Sequence, residues 1–407
     1  MTSGKQMTNS FRGTVLMIGL GVGLGTAATM SACSQPTRSG PPGLQAGGAP
    51  EGETPAGATK AAMDPSDSRS ISELIAGLTG KRVVFVGESH DRYDHHLNQL
   101  AVIQGLREHG VDLAVGMEFF QEPFQAHLDR YVAGEIDEKE MLKKTEYYDR
   151  WKYDYRLYRD ILTYARAHRI PLVALNAPAE LVAQVSKAGL DGLPPQDRAR
   201  LPDDMSTAAA GYEARLRPIF DMHGKVSDER FRRFVDVQTL WDEYMARVAR
   251  DYLQANPAKT MVILAGAGHV VYPDAIPGRL GRMVRGDQAV IATGSAERYA
   301  GGEIDFLLAE REVDLPPPGR MGLMLASEDN GVTVSGVSPA SPAADAGFRP
   351  GDRVLSIAGE LIRGMDDVKL ALLDRAPGDM VWVEVRRAST AARVKPTKRH
   401  GRALTLL

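Results

Sequence analysis

Two short segments of this chain place an imidazole three residues after a glycine: Gly87-Glu88-Ser89-His90 and Gly266-Ala267-Gly268-His269. Imidazole is the side chain whose ordinary pKa lies nearest neutral pH, so it serves as a general base, a proton carrier or a metal ligand. Each segment follows a mostly apolar run, residues 82–86 for the first and 261–264 for the second. Short apolar runs ended by glycine read as buried parallel strands. Ligands of open α/β sheets bind beyond the carboxyl ends of the strands, so two histidines just past strand ends are placed to share one crevice.

The elements that must position them follow from the same pattern. A helix is expected where Ser72 reads as an N-cap before Leu74, Ile75 and Leu78. Four parallel strands are expected at 82–86, 112–116, 171–175 and 260–264, with 289–292 and 303–309 closing the edge. Helical stretches lie between them, and that alternation is an α/β sheet. The strand ends carry Glu88 and His90, then Glu118, then Asn176, then His269. Polar or ionisable groups at four separate strand ends point to a functional crevice rather than to isolated core histidines.

Beyond the first strand lie His95, His96 and Gln99. A helix starting near Tyr93 puts His95 and Gln99 on one face at i, i+4 and turns His96 elsewhere. A further segment is dense in aromatics: Tyr147, Tyr148, Trp151, Tyr153, Tyr155, Tyr158 and Tyr164. Trp151, Tyr155, Tyr158, Leu162 and Ala165 fall on one helical stripe, which reads as a packing face. The alternative is that one phenol is an iron ligand, or that the rings wall a flat cofactor. A hydrolase is the second chemistry the strand ends suit. His90 or His269 is then the base, supported by Glu88 and Glu118, or His90, Glu118 and His269 hold a divalent ion.

The chain has 407 residues, enough for two domains with appendages. A net charge of −3 argues against bulk nucleic-acid binding, and the single cysteine, Cys33, excludes an intrachain disulfide. Residues 1–33 read as a secretory signal: Lys5 and Arg12, an apolar Gly-rich run, then Ser31-Ala32-Cys33. Residues 34–69 are rich in Gly, Pro, Ala and Ser and read as a disordered tether, spanning roughly 30–35 Å root-mean-square. Folded domains are expected at 70–312 and 319–407, with a linker at 313–318 containing Pro316-Pro317-Pro318. The second domain reads as mostly β, with strands at 321–325, 332–337, 352–357, 381–386 and 403–407. Helices are expected near 342–346 and 365–373. The terminal Thr405-Leu406-Leu407 reads as part of the last strand rather than as a free ligand tail.

Several of these segments resemble known families. Met30-Ser31-Ala32-Cys33 is similar to a bacterial lipobox, which implies lipidation of Cys33, and Ser34 after it leans towards the outer membrane. Gly87-Glu88-Ser89-His90-Asp91, His95-His96-x-x-Gln99, Gly116-Met117-Glu118-Phe119 and Tyr153-Asp154-Tyr155-x-x-Tyr158 resemble the ChaN-like haem-binding lipoprotein family. So do Ala174-Leu175-Asn176-Ala177-Pro178, Trp241-Asp242-x-x-Met245-Ala246 and Ala265-Gly266-Ala267-Gly268-His269-Val270. The resemblance implies a membrane-anchored protein of haem or iron uptake in the bacterial envelope, facing the periplasm. Haem would contact residues among His90, His95, His96, Tyr153, Tyr155, Tyr158 and His269, with the cofactor shared by two copies of the chain. The wider superfamily contains Tiki-type metalloproteases and erythromycin esterases, which keeps the metal-dependent or His/Glu-dependent hydrolase as the alternative. Ser338 to Gly347, followed by Arg349-Pro350-Gly351-Asp352, resembles a bacterial PDZ domain. That resemblance implies docking of an extended peptide or protein carboxyl terminus at Arg320, Met321, Gly322, Leu323 and Met324.

Overall fold

The computed structural model describes residue 63 and residues 68–203, 205, 210–221, 227–329, 331–387 and 399–407. The expected signal segment and Cys33 lie outside the described residues. The expected tether lies outside them except at its end. There Met63 already pairs with Leu308, and a helix begins at Ser68. Ser72 is therefore inside that helix, and its first turn forms earlier than the apolar spacing alone indicates.

The first domain is built on six parallel strands: β1 (Val83–Glu88), β2 (Leu113–Gln121), β3 (Leu172–Asn176), β4 (Thr260–Gly266), β5 (Gln288–Thr293) and β6 (Phe306–Leu308). Their order is β3-β2-β4-β1-β5-β6. The chain winds from β1 in one direction through β2 and β3, then returns by β4 to build outward in the other. The crevice of such a sheet opens where that direction reverses, at the carboxyl ends of β1 and β4. Register keeps those ends level, with Glu88 opposite Gly266 and Met117 opposite Leu264.

β1 is buried along its whole length, as a strand covered on both faces must be. Successive side chains alternate between two cores. Val84, Val86, Val115, Met117, Val262 and Leu264 face one layer, with the Tyr93–Glu108 and Arg159–Ala167 helices. Val83, Phe85, Val173, Leu175, Met261 and Ile263 face the other, against the 28-residue Asp228–Ala255 helix. Ser227 caps that helix by accepting from Arg230 N.

Two expected elements differ. β2 continues to Gln121, so Glu118 is a strand residue rather than a loop residue. The aromatic segment is not one helical stripe. It breaks into Tyr147–Arg150, a 3-10 turn at Tyr155–Leu157 and the Arg159–Ala167 helix. Lys152 adopts a positive φ of 56°, and Asp154 caps the 3-10 turn, so the helical period is interrupted between Trp151 and Tyr155.

The second domain is an antiparallel sheet of β7 (Leu323–Glu328), β8 (Gly331–Val337), β9 (Arg353–Ile357), β11 (Met380–Arg386) and β12 (Arg399–Thr405), with β10 (Glu360–Leu361) on β9. The strand order is β12-β11-β9-β8-β7, which leaves β7 at one end. β11 alternates buried and exposed residues, and Val381, Val383 and Val385 enter the core. The tail completes this sheet: Leu406 is buried, and Leu407 and Arg320 exchange two backbone hydrogen bonds of 2.9 Å.

The connection between the domains is held down. Leu315 packs on the first core, Arg156 Nη1 donates to Pro316 O at 2.8 Å, and Arg311 N donates to Asp94 at 2.9 Å. The Met365–Leu372 helix adds ion pairs across the junction, including Lys143 with Asp367 and, at 2.6 Å, Arg159 with Asp374 just beyond its end.

Candidate functional site

Glu88 is the last residue of β1 and is buried. Its Oε1 meets His90 Nδ1 at 2.7 Å, and its Oε2 meets His96 Nδ1 at 2.9 Å. Gln99 Nε2 donates to the same Oε2 at 2.9 Å. So His96 and Gln99, at i, i+3 on the Tyr93–Glu108 helix, are the pair that reaches back to the crevice. His95 instead turns away: its Nδ1 accepts from Ser89 N at 3.0 Å, and its Nε2 lies 3.8 Å from Glu310. A helix places both i+3 and i+4 neighbours near one face, and the buried carboxylate decides between them.

His269 has its own carboxylate. Its Nδ1 meets Asp242 Oδ1 at 2.5 Å, from the buried side of the Asp228–Ala255 helix. The Tyr212 phenol donates to the other Asp242 oxygen at 2.8 Å. Glu118 lies between the two histidines. One of its oxygens accepts from Gly266 N at 2.7 Å, and the other is 3.8 Å from His269 Nε2. Asn176 Nδ2 donates to the Glu118 carbonyl at 2.9 Å, tying the end of β3 to the end of β2.

The two Gly-x-x-His turns interlock through their glycines. A Cβ on Gly87 would stand 3.0 Å from Val270 and 3.2 Å from the Ala267 backbone, in the second turn. A Cβ on Gly266 would stand 3.1 Å from the His90 ring, in the first. Each glycine therefore allows the other motif's close approach.

These contacts set the charges. Burial raises the Glu88 pKa, but His96 and His90 more than offset it and hold the carboxyl well below the usual range. For His90, burial lowers the pKa, while Glu118 and Glu88 raise it by more. For His269, burial lowers it, and Asp242 and Glu118 raise it to about 9. A carboxylate on Nδ1 fixes the tautomer of a ring and leaves Nε2 for chemistry.

The aromatics divide. Trp151 and Tyr153 are half-buried and meet the His90 ring at 4.8 Å and 5.0 Å. Trp241, also half-buried, meets His269 edge-on at 6.1 Å. Tyr158 is fully buried; its phenol donates to His90 O at 3.2 Å and accepts from Trp151 Nε1 at 3.1 Å. Tyr155 is fully buried too, but it is turned from the crevice and donates to Glu138 at 2.8 Å. The structure thus brings together His90, His96, His269, Tyr153, Tyr158, Glu88, Glu118 and Asn176, and leaves His95 and Tyr155 outside. Among the described residues no group of three or more His, Cys, Asp or Glu side chains is arranged to hold a metal ion.

In the second domain Arg320 is exposed, Met321 is buried and Met324 is 55% exposed on the edge strand. Gly322 has φ +76°, and a Cβ there would strike Ser341 at 2.4 Å, so the loop before β7 requires glycine. Sequence reasoning gave no role to Asp242, Trp241 or Tyr212. The first two sit in the Trp241-Asp242 motif, whose i, i+1 spacing does not reveal that both reach His269.

A parallel α/β sheet with a two-histidine crevice, followed by an antiparallel sheet with a free edge beside a glycine loop, defines a two-domain protein of the ChaN-like and PDZ type. The chain belongs to the family described as haem-binding uptake, Tiki superfamily, ChaN, whose profile matches residues 74–280, and a PDZ-domain profile matches residues 319–395. A putative zinc metalloprotease of Brucella suis is 48% identical over 54 residues, 13% of this chain. The chain covers 14% of the length of that relative. Among solved structures, the haem-binding ChaN of Campylobacter jejuni is 19% identical, with a TM-score of 0.45 over 58% of this chain and 90% of its own. An erythromycin esterase mutant is 18% identical, with a TM-score of 0.35 over 56% of this chain and 73% of its own. The PDZ domain of a carboxy-terminal protease from Vibrio cholerae, in complex with peptide, is 19% identical, with a TM-score of 0.19 over 22% of this chain and 93% of its own.

The His269–Asp242 pair carries a pH signature. A raised histidine pKa stabilises the fold below the unfolded value of 6.5, and that contribution is lost as pH rises through about 9. In Asp242→Asn, the His269 titration followed by NMR is expected to fall from about 9 towards 6.5 or below. The stability advantage of the parent over the variant should shrink across the same window. A midpoint that stays near 9 in the variant overturns this account of the pair.

Proposed function

We propose that this chain is a haem-binding protein of the bacterial envelope, serving haem or iron uptake, with a PDZ domain that docks a protein carboxyl terminus. Family membership supports the haem reading, and one feature of the crevice carries it. Of the three candidate tyrosines, Tyr153 alone has a half-buried ring, and that ring stands on His90. A phenol can ligate ferric haem iron, and half-buried Trp151 gives a flat ring system a surface to lie on. His90 and His269 are nearly covered, at 5% and 6% exposure, so the group would sit at the mouth rather than between the histidines. Burial, then Asp91, Glu118 and Glu88, raise the Tyr153 pKa above its ordinary value, so ligation has to displace a proton.

The docking reading rests on the PDZ fold, the end position of β7 and the exposed cation of Arg320 beside Gly322. An added peptide strand would supply a partner to β7, and its carboxylate would meet Arg320. The anchoring reading rests on Met30-Ser31-Ala32-Cys33, with acylated Cys33 holding the protein to the outer membrane on its periplasmic side. A homodimer sharing haem belongs to the same reading.

A second reading is carried by a different observation. Two carboxylate-held imidazoles, Glu88–His90 and Asp242–His269, flank Glu118, and this is an arrangement for moving protons. It supports the hydrolase alternative, with His90 and His269 as the acid–base pair.

Titrating the purified chain with hemin is expected to give a saturable Soret band whose affinity rises with pH. Tyr153→Phe should weaken binding by about tenfold or more. A folded protein with no band sinks the haem reading, and an unchanged affinity in the variant sinks the role of Tyr153. Turnover of p-nitrophenyl esters tests the second reading. His90→Asn and His269→Asn should each lower the rate by about 10²–10⁴, and equal background rates in parent and variants remove it. Metabolic labelling with a palmitate analogue should mark the parent and spare Cys33→Ser; a labelled variant overturns the anchor.

A further inference from the structure

The Met365–Leu372 helix of the PDZ domain has two apolar faces. Val368 and Ala371 lie in the PDZ core, on which Leu323 and Leu325 of β7 also pack. Leu370 and, just past the helix, Leu373 lie in the core of the first domain, in the cluster that contains Tyr147 and Tyr158. Lys369 completes that second face, with Nζ 4.8 Å from the centre of the Tyr148 ring. The start of the glycine loop is fastened to the segment that follows this helix, because Gly319 N donates to Arg375 O at 2.9 Å.

The Tyr147–Arg150 turn that receives this helix leads straight to Trp151, whose ring covers His90. The turn is bracketed by two non-glycine residues in the left-handed region, Glu146 at φ 52° and Lys152 at φ 56°. Each such residue is strained and persists only where the surroundings hold it. One of those surroundings is the PDZ helix.

We propose that the PDZ groove and the histidine crevice are coupled sites, with the Met365–Leu372 helix as the shared wall. A carboxyl-terminal peptide added along β7 lays its inward side chains on the partly buried Leu323 and Leu325 of β7 and Met365 and Leu372 of the helix. Accommodating them shifts the helix against Tyr148 and relaxes the strained turn. Trp151 and Tyr153 then change how they cover His90. This rests on the reading that the PDZ domain takes a carboxyl terminus. It adds that docking opens or closes the crevice, and by linkage a crevice ligand changes peptide affinity by the same factor.

The sequence contains three tryptophans, so Trp241→Phe with Trp382→Phe leaves Trp151 as the sole reporter. Short fluorescein-labelled peptides ending in free leucine, valine or phenylalanine are titrated onto this full-length variant, with amidated versions as controls. Anisotropy reads docking, and unlabelled peptide with Trp151 emission reads the crevice. The expected result is a Trp151 change that saturates along the docking curve. Adding Lys369→Ala and Asp374→Ala should abolish that change while peptide still docks. Saturable docking with unchanged Trp151 emission overturns the coupling and leaves the docking reading intact. Failure of every free-carboxylate peptide to dock overturns both.

Discussion

The structure depends on one buried negative charge. Glu88 ends β1 in the interior, and both of its oxygens are committed to neighbours from the Tyr93–Glu108 helix and the following turn. An unpaired carboxylate there would cost several kcal/mol. The chain therefore has to bring His90, His96 and Gln99 to it. Satisfying Glu88 fixes the exit direction of β1, the rotation of the helix and the height of His90 in the crevice. The aromatic segment is tied in one step further out, because the Tyr158 phenol holds the carbonyl of His90. Asp242 repeats this logic for His269 from the opposite side, and Glu118 stands between the two.

The layered α/β architecture was legible in the sequence because both faces of the sheet are covered. Strands such as β1 and β4 must then be apolar throughout, and glycine marks their ends. The meeting of the strand ends was also legible: Glu88, His90, Glu118, Asn176 and His269 come together as their positions suggested. What could not be read was side-chain direction. His95 and His96 are adjacent and equally polar, and only the position of Glu88 shows which one faces the site. Asp242 was hidden for a similar reason: it sits in the middle of a long amphipathic helix, where an acid usually reads as a solvated face. The aromatic segment misled through its period, since Lys152 and Asp154 interrupt a spacing that otherwise fits a helix.

The junction between the domains shows the limit of reading linkers from composition. Three consecutive prolines suggest separation, yet Leu315 and Pro316 are bound to the first domain, and the PDZ helix and the residue after it contribute Leu370 and Leu373 to its core. Stiffness of a segment says nothing about whether its ends are free. Here the stiff segment sets the distance at which a helix with two apolar faces can serve both cores.

The reciprocal glycines have a consequence for how the chain is made. The first turn leaves synthesis long before the second, and each supplies the atoms that stand beside the other's glycine. A chain that ends before β4 already carries Glu88 with His90, His96 and Gln99, but it lacks the Gly266 N that donates to Glu118 and the Asp242–His269 pair that faces them. The crevice is complete only with β4 in place between β1 and β2, so its two halves come from segments made far apart in time.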